Sequence, residues 1–192
     1  MSITRSLANL GWKISRYSLI GEEIPREPGI IVGAPHTSNW DFIAFLGVMW
    51  SNQMKLKILV KKSMFVGPLA PILRALGAIS IDRESPGDTV TQLVTKAKSG
   101  EPFQLVIAAK GTRSPQPYWK SGFYRIALAA DLPVTIVSID SNRREVEVGP
   151  TRKMTGNAKA DMDLIRAFYA DKAGVRPERR SEPRLREENR HE

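Results

Sequence analysis

The sequence predicts a mixed α/β domain, with a largely parallel sheet flanked by helices and an amphipathic helix at the N-terminus. Two observations favour this class, and a third excludes several kinds of site. Short, β-branched apolar runs alternate with longer helical patterns between residues 30 and 173. The 192 residues fit one domain, and 42% of them are hydrophobic, which is enough for a packed core. The chain has no cysteine, which excludes a disulfide framework, a thiol nucleophile and a cysteine-bound metal.

Residues 1–25 are predicted to form the amphipathic helix. Apolar side chains recur there at spacings of four and three, with basic residues on other faces, and the segment also contains Trp12. The apolar stripe comprises Ile3, Leu7, Leu10, Ile14 and Tyr17. Such a helix either lies in a membrane interface or packs on the main domain, and both interpretations stay open. The longest apolar stretch, residues 42–54, would be about 20 Å long as a helix, so the chain is expected to lie on a bilayer rather than cross it.

The main domain is predicted over residues 26–174, with helices between its strands. Glycine, proline and polar residues bound each apolar run. The predicted strands cover residues 30–34, 56–60, 78–82, 103–109, 133–140 and 145–149. The predicted helices cover residues 39–53, 64–76, 88–99, 121–130 and 158–173, and two prolines interrupt the second of them.

Residues 175–192 are almost wholly arginine, glutamate, proline and other polar types. Such a segment buries too little apolar surface to offset the entropy of ordering, so we expect a flexible charged tail. The tail contains His191, the second of the two histidines in the chain.

The other histidine, His36, follows the first predicted strand of the domain, and Asp41 lies in the first turn of the next helix. Pro35 ends the strand, and Ser38 or Asn39 is suited to cap the helix. The chain between them is short and bent, so Asp41 can hold one ring nitrogen while the other faces a substrate. The alternative is a histidine at a strand end, with Asp41 serving only the helix dipole.

Together with three further segments, this pair resembles the motifs of the glycerolipid acyltransferase family, which includes lysophosphatidic acid acyltransferases. The family's first motif is His-x4-Asp. Its second, Gly-x-Ile/Phe-x-Ile-Asp-Arg, is matched by Gly-Ala-Ile-Ser-Ile-Asp-Arg at residues 77–83. Its third, Pro-Glu-Gly-Thr-Arg-Ser, is matched in part by Ala-Lys-Gly-Thr-Arg-Ser at residues 109–114. The fourth, a proline in an apolar strand, is matched loosely at residues 132–137, and residues 120–124 look like the segment that follows the third motif in short bacterial members.

The resemblance implies an acyltransferase domain in which His36 and Asp41 are catalytic and no metal or organic cofactor takes part. It also implies that residues of the second and third motifs bind the acceptor. These are Arg83, Lys110, Gly111, Thr112 and Arg113. Arginine suits this role because its planar fork donates two parallel hydrogen bonds to phosphate oxygens. Because Arg83 and Arg113 both follow strands, we expect them at one edge of the sheet, beside His36.

One position departs from the family pattern. The third motif of the family has Pro-Glu where this chain has Ala109 and Lys110. Three interpretations stay open: the lysine weakens a loop that glutamate would anchor, it adds a third cation for an acidic headgroup, or it marks a lipid-binding relative with impaired catalysis.

The activity that the resemblance implies is transfer of a fatty-acyl group to the hydroxyl of a lysophospholipid such as 1-acyl-glycerol-3-phosphate. The donor would be acyl-CoA or acyl-carrier protein, both of which are acidic. The net charge of +9 also suits an anionic membrane surface, so we expect a peripheral, monotopic protein on the cytoplasmic side of the cell membrane. A nucleic-acid-binding protein is the alternative from charge alone, but no nucleic-acid-binding signature accompanies it, and no nucleic acid is expected as a partner.

Overall fold

The computed structural model describes residues 3–54, 56–61, 65–75, 77–81, 91, 94–95 and 103–189. Its strands are β1 (Ser18–Gly21), β2 (Gly29–Ala34), β3 (Leu56–Lys61), β4 (Ala78–Ile81), β5 (Gln104–Ile107), β6 (Val134–Asp140) and β7 (Glu145–Arg152). They form one seven-stranded sheet in the order β1-β7-β6-β2-β5-β3-β4. Every pair is parallel except β6 and β7, which run antiparallel. The predicted fold class, a mixed and largely parallel sheet, is therefore confirmed.

The helices flank this sheet. They are α1 (Ile3–Ser15), α2 (Trp40–Ser51), α3 (Leu69–Ala75), α4 (Gly122–Ala130) and α5 (Ala158–Tyr169). Of the helix predicted over residues 88–99, residues 91, 94 and 95 are described and are helical, and the others lie outside the described residues. None of the helices in the described part of the chain is long and apolar enough to cross a membrane.

The N-terminal prediction is correct for its first half and wrong for its second. Arg16 adopts a left-handed backbone conformation (φ 59°), which an α-helix cannot continue through. The chain then forms β1, which pairs in parallel with β7 at the edge of the sheet. A four-residue edge strand with three exposed positions has no buried face, so it carries no alternating pattern by which the sequence could predict it.

Two apolar clusters hold the layers together on opposite faces of the sheet. Alternate residues of β2 divide between them, Ile30 and Val32 in one cluster and Ile31 in the other. The first cluster includes the aromatic side chains of Trp119, Phe123, Tyr124 and Tyr169. Trp119, Phe123 and Tyr124 are almost fully buried, so these rings pack in the core.

The described part of the polar C-terminus, residues 175–189, has defined structure, contrary to the expected flexible tail. Two short 3₁₀-helices (Pro177–Arg179 and Arg186–Asn189) occur there, and Leu185 is buried in the first apolar cluster. Backbone and side-chain atoms both hold it: the Trp119 amide donates to the carbonyl of Arg184 at 2.7 Å, and the Arg180 guanidinium donates to the carbonyl of Tyr169 at 2.7 Å. The composition does not predict this structure, because hydrogen bonds to backbone atoms and one buried leucine do not require an apolar-rich sequence. Residues 174–185 are named the C-terminal segment from here on.

Candidate active site

The candidate site lies at the C-terminal ends of the parallel strands β2 and β5. These strands are neighbours, with Val32 opposite Ile107, so the loops that follow them emerge side by side. His36 lies in the loop after β2. The Gly111–Arg113 turn follows β5, and the Arg113 Nη1 donates a hydrogen bond to the Asn39 Oδ1, which joins the two loops. The first and third motifs therefore lie next to each other, as predicted. Arg83 of the second motif lies outside the described residues.

His36 and Asp41 approach each other as the bend in the chain predicts. The His36 Nδ1 lies 3.6 Å from the Asp41 Oδ2, within ion-pair range but longer than an ordinary N–H···O hydrogen bond. Hydrogen bonds between catalytic groups often shorten when a substrate binds. The Asp41 Oδ2 also accepts from the backbone amides of Thr37 at 2.5 Å and Ser38 at 2.8 Å. These bonds fix the carboxylate beside the ring, and helix α2, which begins at Trp40, places Asp41 in its first turn.

The electrostatic environment favours a neutral imidazole. Burial lowers the pKa of His36 below its ordinary value, and the positive charges of Lys110 and Arg113 lower it further, while Asp41 opposes them. Burial likewise raises the pKa of Asp41, against the amides of Ser38 and Thr37. A carboxylate beside Nδ1 favours the tautomer with its proton there, which leaves the lone pair on Nε2. With 24% of the His36 side chain exposed, the arrangement is that of a base and an orienting carboxylate.

The backbone of His36 is unusual. Its φ of 47° lies in the left-handed region, which few residues other than glycine adopt, although histidine, asparagine and aspartate adopt it more often than the rest. Conformations of this kind persist where the surrounding contacts hold them, and they concentrate at functional sites. Here the contacts are the two amides bound by Asp41, so the loop geometry and the histidine orientation depend on one carboxylate.

Lys110 is not placed for contact with an acceptor. Its side chain is 1% exposed, and its Nζ donates to the carbonyl oxygens of Arg179 at 2.6 Å and Arg113 at 3.4 Å. Burial lowers the pKa of Lys110, whereas the charge of Asp41 raises it. The interpretation of Lys110 as an added headgroup cation is therefore wrong for this geometry, because the ammonium faces two backbone carbonyls.

The rest of the third motif forms an exposed turn. Gly111 has a φ of 72°, and a Cβ there would come within 3.1 Å of the Lys120 side chain, so glycine is the residue that fits. Its amide donates to the carbonyl of Ala108 at 2.9 Å. Thr112 is partly buried, and its Oγ1 accepts from the amide of Ser114 at 3.4 Å. Arg113 is exposed, and its guanidinium contacts Asn39, three residues after His36.

Backbone amides near a catalytic base can stabilise an oxyanion, but three amides of this site are already bonded to protein acceptors. Those of Thr37 and Ser38 donate to Asp41, and that of Gly111 donates to Ala108. Oxyanion stabilisation by these three amides is therefore not supported. No cluster of three or more histidine, cysteine, aspartate or glutamate side chains suited to a metal ion is present in the described part of the chain.

The C-terminal segment was not predicted at this site. The amide of Arg176 donates to the Thr37 Oγ1 at 3.0 Å, and Thr37 is fully buried next to His36. Gly174 packs against the same loop, where a Cβ would come within 3.0 Å of the Thr37 Oγ1 and 3.1 Å of Pro35. No signal in the sequence identifies these contacts, because they use backbone atoms of residues about 140 positions from His36.

Comparisons with known proteins agree with the motifs. The family model described as Acyltransferase matches residues 17–140, which is more than half of the chain. Among solved structures, the fold is similar to that of the 1-acyl-sn-glycerophosphate (LPA) acyltransferase PlsC from Thermotoga maritima, with a TM-score of 0.51 and 17% sequence identity. That match covers 78% of this chain and 66% of the Thermotoga protein, so this chain spans about two thirds of its length. No curated protein matches the sequence. With the His36 and Asp41 loop inside the matched range, the chain belongs to the Acyltransferase family.

Proposed function

We propose that this acyltransferase moves a fatty-acyl group from a thioester donor, acyl-CoA or acyl-carrier protein, to the hydroxyl of a lysophospholipid such as 1-acyl-glycerol-3-phosphate. The observation that carries the proposal is the approach of the His36 Nδ1 to the Asp41 Oδ2 in a loop that Arg113 joins. That arrangement supplies a base beside an exposed cation, which suits an acceptor carrying both a hydroxyl and a phosphate.

In the proposed mechanism, the Nε2 of His36 takes the proton of the acceptor hydroxyl while the oxygen attacks the thioester carbonyl. Asp41 stabilises the imidazolium that forms. The tetrahedral intermediate then expels the carrier thiolate, which takes the proton from the imidazolium. Because the lipid hydroxyl is the nucleophile, no acyl-enzyme forms, and the lowered pKa of His36 keeps the imidazole in its basic form at neutral pH.

The proposal is tested by incubating the purified chain with a panel of lysolipids and with acyl-CoA or acyl-carrier donors, followed by mass spectrometry of the products. We expect a diacyl product from at least one phosphate-bearing acceptor. A folded chain that binds lysolipid vesicles but forms no product with any donor would contradict the activity and leave a lipid-binding relative as the function.

Arg113 is proposed to bind the acceptor phosphate. Replacing it with methionine should raise the KM for lysophosphatidic acid about 10- to 100-fold, the factor expected for a lost hydrogen bond to a charged group. The KM for monoacylglycerol, which has no phosphate, should change little. Arg152→Met is the matched control, because Arg152 is exposed next to Val134, where β6 begins, and so lies at the opposite ends of the strands from the candidate site. An equal rise for both acceptors would show that Arg113 only holds the loop through Asn39.

We further propose that α1 binds an anionic membrane surface. Its predicted apolar stripe is not in the core: Ile3, Leu7, Leu10 and Ile14 are each at least 50% exposed. A different face packs on α2, where Trp12 donates to the Ser51 Oγ at 2.9 Å and its ring covers Gly47. Trp40, at the start of α2 beside the candidate site, is also exposed, and Arg5, Lys13 and Arg16 add exposed positive charge on or beside α1.

The double variant Leu7→Gln with Leu10→Gln should therefore bind phosphatidylglycerol-containing vesicles at least about tenfold more weakly, because each buried leucine contributes about 1.5–3 kcal/mol. Vesicle co-sedimentation measures the change. Leu128→Gln with Leu164→Gln removes two exposed leucines from α4 and α5 and is the matched control. Equal binding by the two double variants would contradict the role of the α1 stripe.

A further inference from the structure

The C-terminal segment crosses the candidate site, past the C-terminal ends of three strands. It begins beside the end of β6, where the amide of Gly174 donates to the carbonyl of Ile139 at 3.1 Å. It then contacts the loop after β2 through Arg176 and Thr37, and the loop after β5 through Arg179 and Lys110. Since β6, β2 and β5 are adjacent in the sheet, these contacts follow the strand order.

Two later contacts fix the far end of the segment. The Ser181 Oγ accepts from the amide of Gln116 at 2.7 Å, and the carbonyl of Arg184 accepts from Trp119 at 2.7 Å. Leu185 is then buried in the core at 1% exposure. The segment is thus attached at both ends, with the two loops of the candidate site held between its anchors and the sheet.

Lys110 provides the one side-chain ammonium among these contacts. A buried ammonium is costly unless it is paired, and this one meets the carbonyl of Arg179 in the segment and that of Arg113 in its own loop. The same ammonium lies close enough to His36 and Asp41 to affect the ionisation of both. One side chain therefore links the segment, the Arg113 turn and the charge of the histidine pair.

We propose that Lys110 is a positioning residue, which ties the C-terminal segment across the loops that carry His36 and Arg113 and makes that segment part of the active site. The catalytic half of this inference rests on the proposed acyl transfer. The positional half does not, since it concerns how the loops are held. The family glutamate at this position would place a carboxylate against two carbonyl oxygens, so Lys110→Glu should be more damaging than Lys110→Met and should not raise activity.

The test uses the arginines of the segment as a reporter. Trypsin cleaves after arginine, and we expect cleavage after Arg179, Arg180 and Arg184 to require release of the docked backbone. In the full chain, Lys110→Met should raise the rate of cleavage in this segment about tenfold, the factor that one lost charge-assisted hydrogen bond corresponds to. It should raise the pKa of His36 measured by NMR, because the Lys110 charge lowers it, and it should lower kcat more than it changes KM.

Two further variants separate the possible causes. Ser181→Ala loosens the segment away from Lys110, so it should speed cleavage without moving the pKa of His36, and it provides the test if Lys110→Met does not fold. Lys153→Met, which removes an exposed lysine paired with Asp131, should match the wild type in every measurement. If Lys110→Met is cleaved no faster than Lys153→Met, or if Lys110→Glu is more active than the wild type, the inference is overturned. Should the wild type lack acyl transfer, the proteolysis and titration results still decide the positional half.

Discussion

Replacing His36 with alanine is expected to lower kcat for acyl transfer about 10⁴-fold, the upper range for loss of a positioned general base. The side chain is the basic group held beside Asp41, and its lowered pKa keeps it unprotonated at neutral pH. The KM for the lysolipid should change little, because the phosphate is proposed to bind Arg113. Initial rates of product formation by mass spectrometry, with wild type and variant at equal lipid concentration, measure the effect.

His191→Ala is the matched control, since His191 is the other histidine of the sequence. It should retain the wild-type rate. Thermal unfolding of both variants separates loss of chemistry from loss of fold. His36 has a left-handed backbone conformation, so an alanine there carries some strain, and His36→Asn, which tolerates that conformation, serves as the second variant. Activity of His36→Asn within tenfold of the wild type would exclude His36 as the base.

The histidine pair could be predicted from sequence because its geometry is local. Proline ends the strand, and the helix begins at Trp40, one residue after the predicted start. Five residues of bent chain then suffice to bring the carboxylate to the ring. The location of the site at the C-terminal ends of the strands could be predicted as well, because parallel strands joined by helices end on the same side. Local chain rules and sheet topology therefore give the position of the site.

The surroundings of the pair could not be predicted, because they depend on contacts distant in sequence. Lys110 finds its acceptor 69 residues away, and that acceptor is a carbonyl oxygen, which any residue type would supply. The charge-rich composition of the C-terminal segment indicated disorder, although backbone bonds, the Ser181 hydroxyl and the buried Leu185 hold it in place. Likewise, nothing in the sequence indicates that the backbone amides of Thr37 and Ser38 both donate to Asp41.

The same contacts change how the lysine in the third motif is interpreted. From the sequence, a lysine in place of the family glutamate indicated a weakened loop, an added headgroup cation or impaired catalysis. In the structure, the lysine bonds to the carbonyl of Arg179, so the loop is held by a segment that follows the matched range of residues 17–140. A lysine in place of the family glutamate is therefore compatible with an ordered site, because a carbonyl oxygen from another part of the chain accepts the hydrogen bond of its ammonium.

Replacing Asp41 with asparagine should lower kcat about 10³-fold while leaving the fold intact. The amide oxygen of asparagine can still accept from the backbone amides of Thr37 and Ser38, so the loop should persist. What is lost is the negative charge that favours a proton on the His36 Nδ1 and stabilises the imidazolium. Initial acyl-transfer rates and unfolding temperatures of the variant measure these two effects separately.

The pH profile distinguishes this role from simple capping of the loop. Asp41 raises the pKa of His36 against burial and the two neighbouring cations, so its removal should lower that pKa further. The neutral imidazole is the active form, and the rate falls as pH drops through its pKa, so the acid limb of kcat should move to lower pH in Asp41→Asn. Asp161→Asn is the matched control: Asp161 is as buried and accepts from Tyr124 and Thr155, so its loss should cost stability without moving the limb. An unshifted limb in Asp41→Asn, with a rate near that of the wild type, would leave Asp41 only its role at the start of α2.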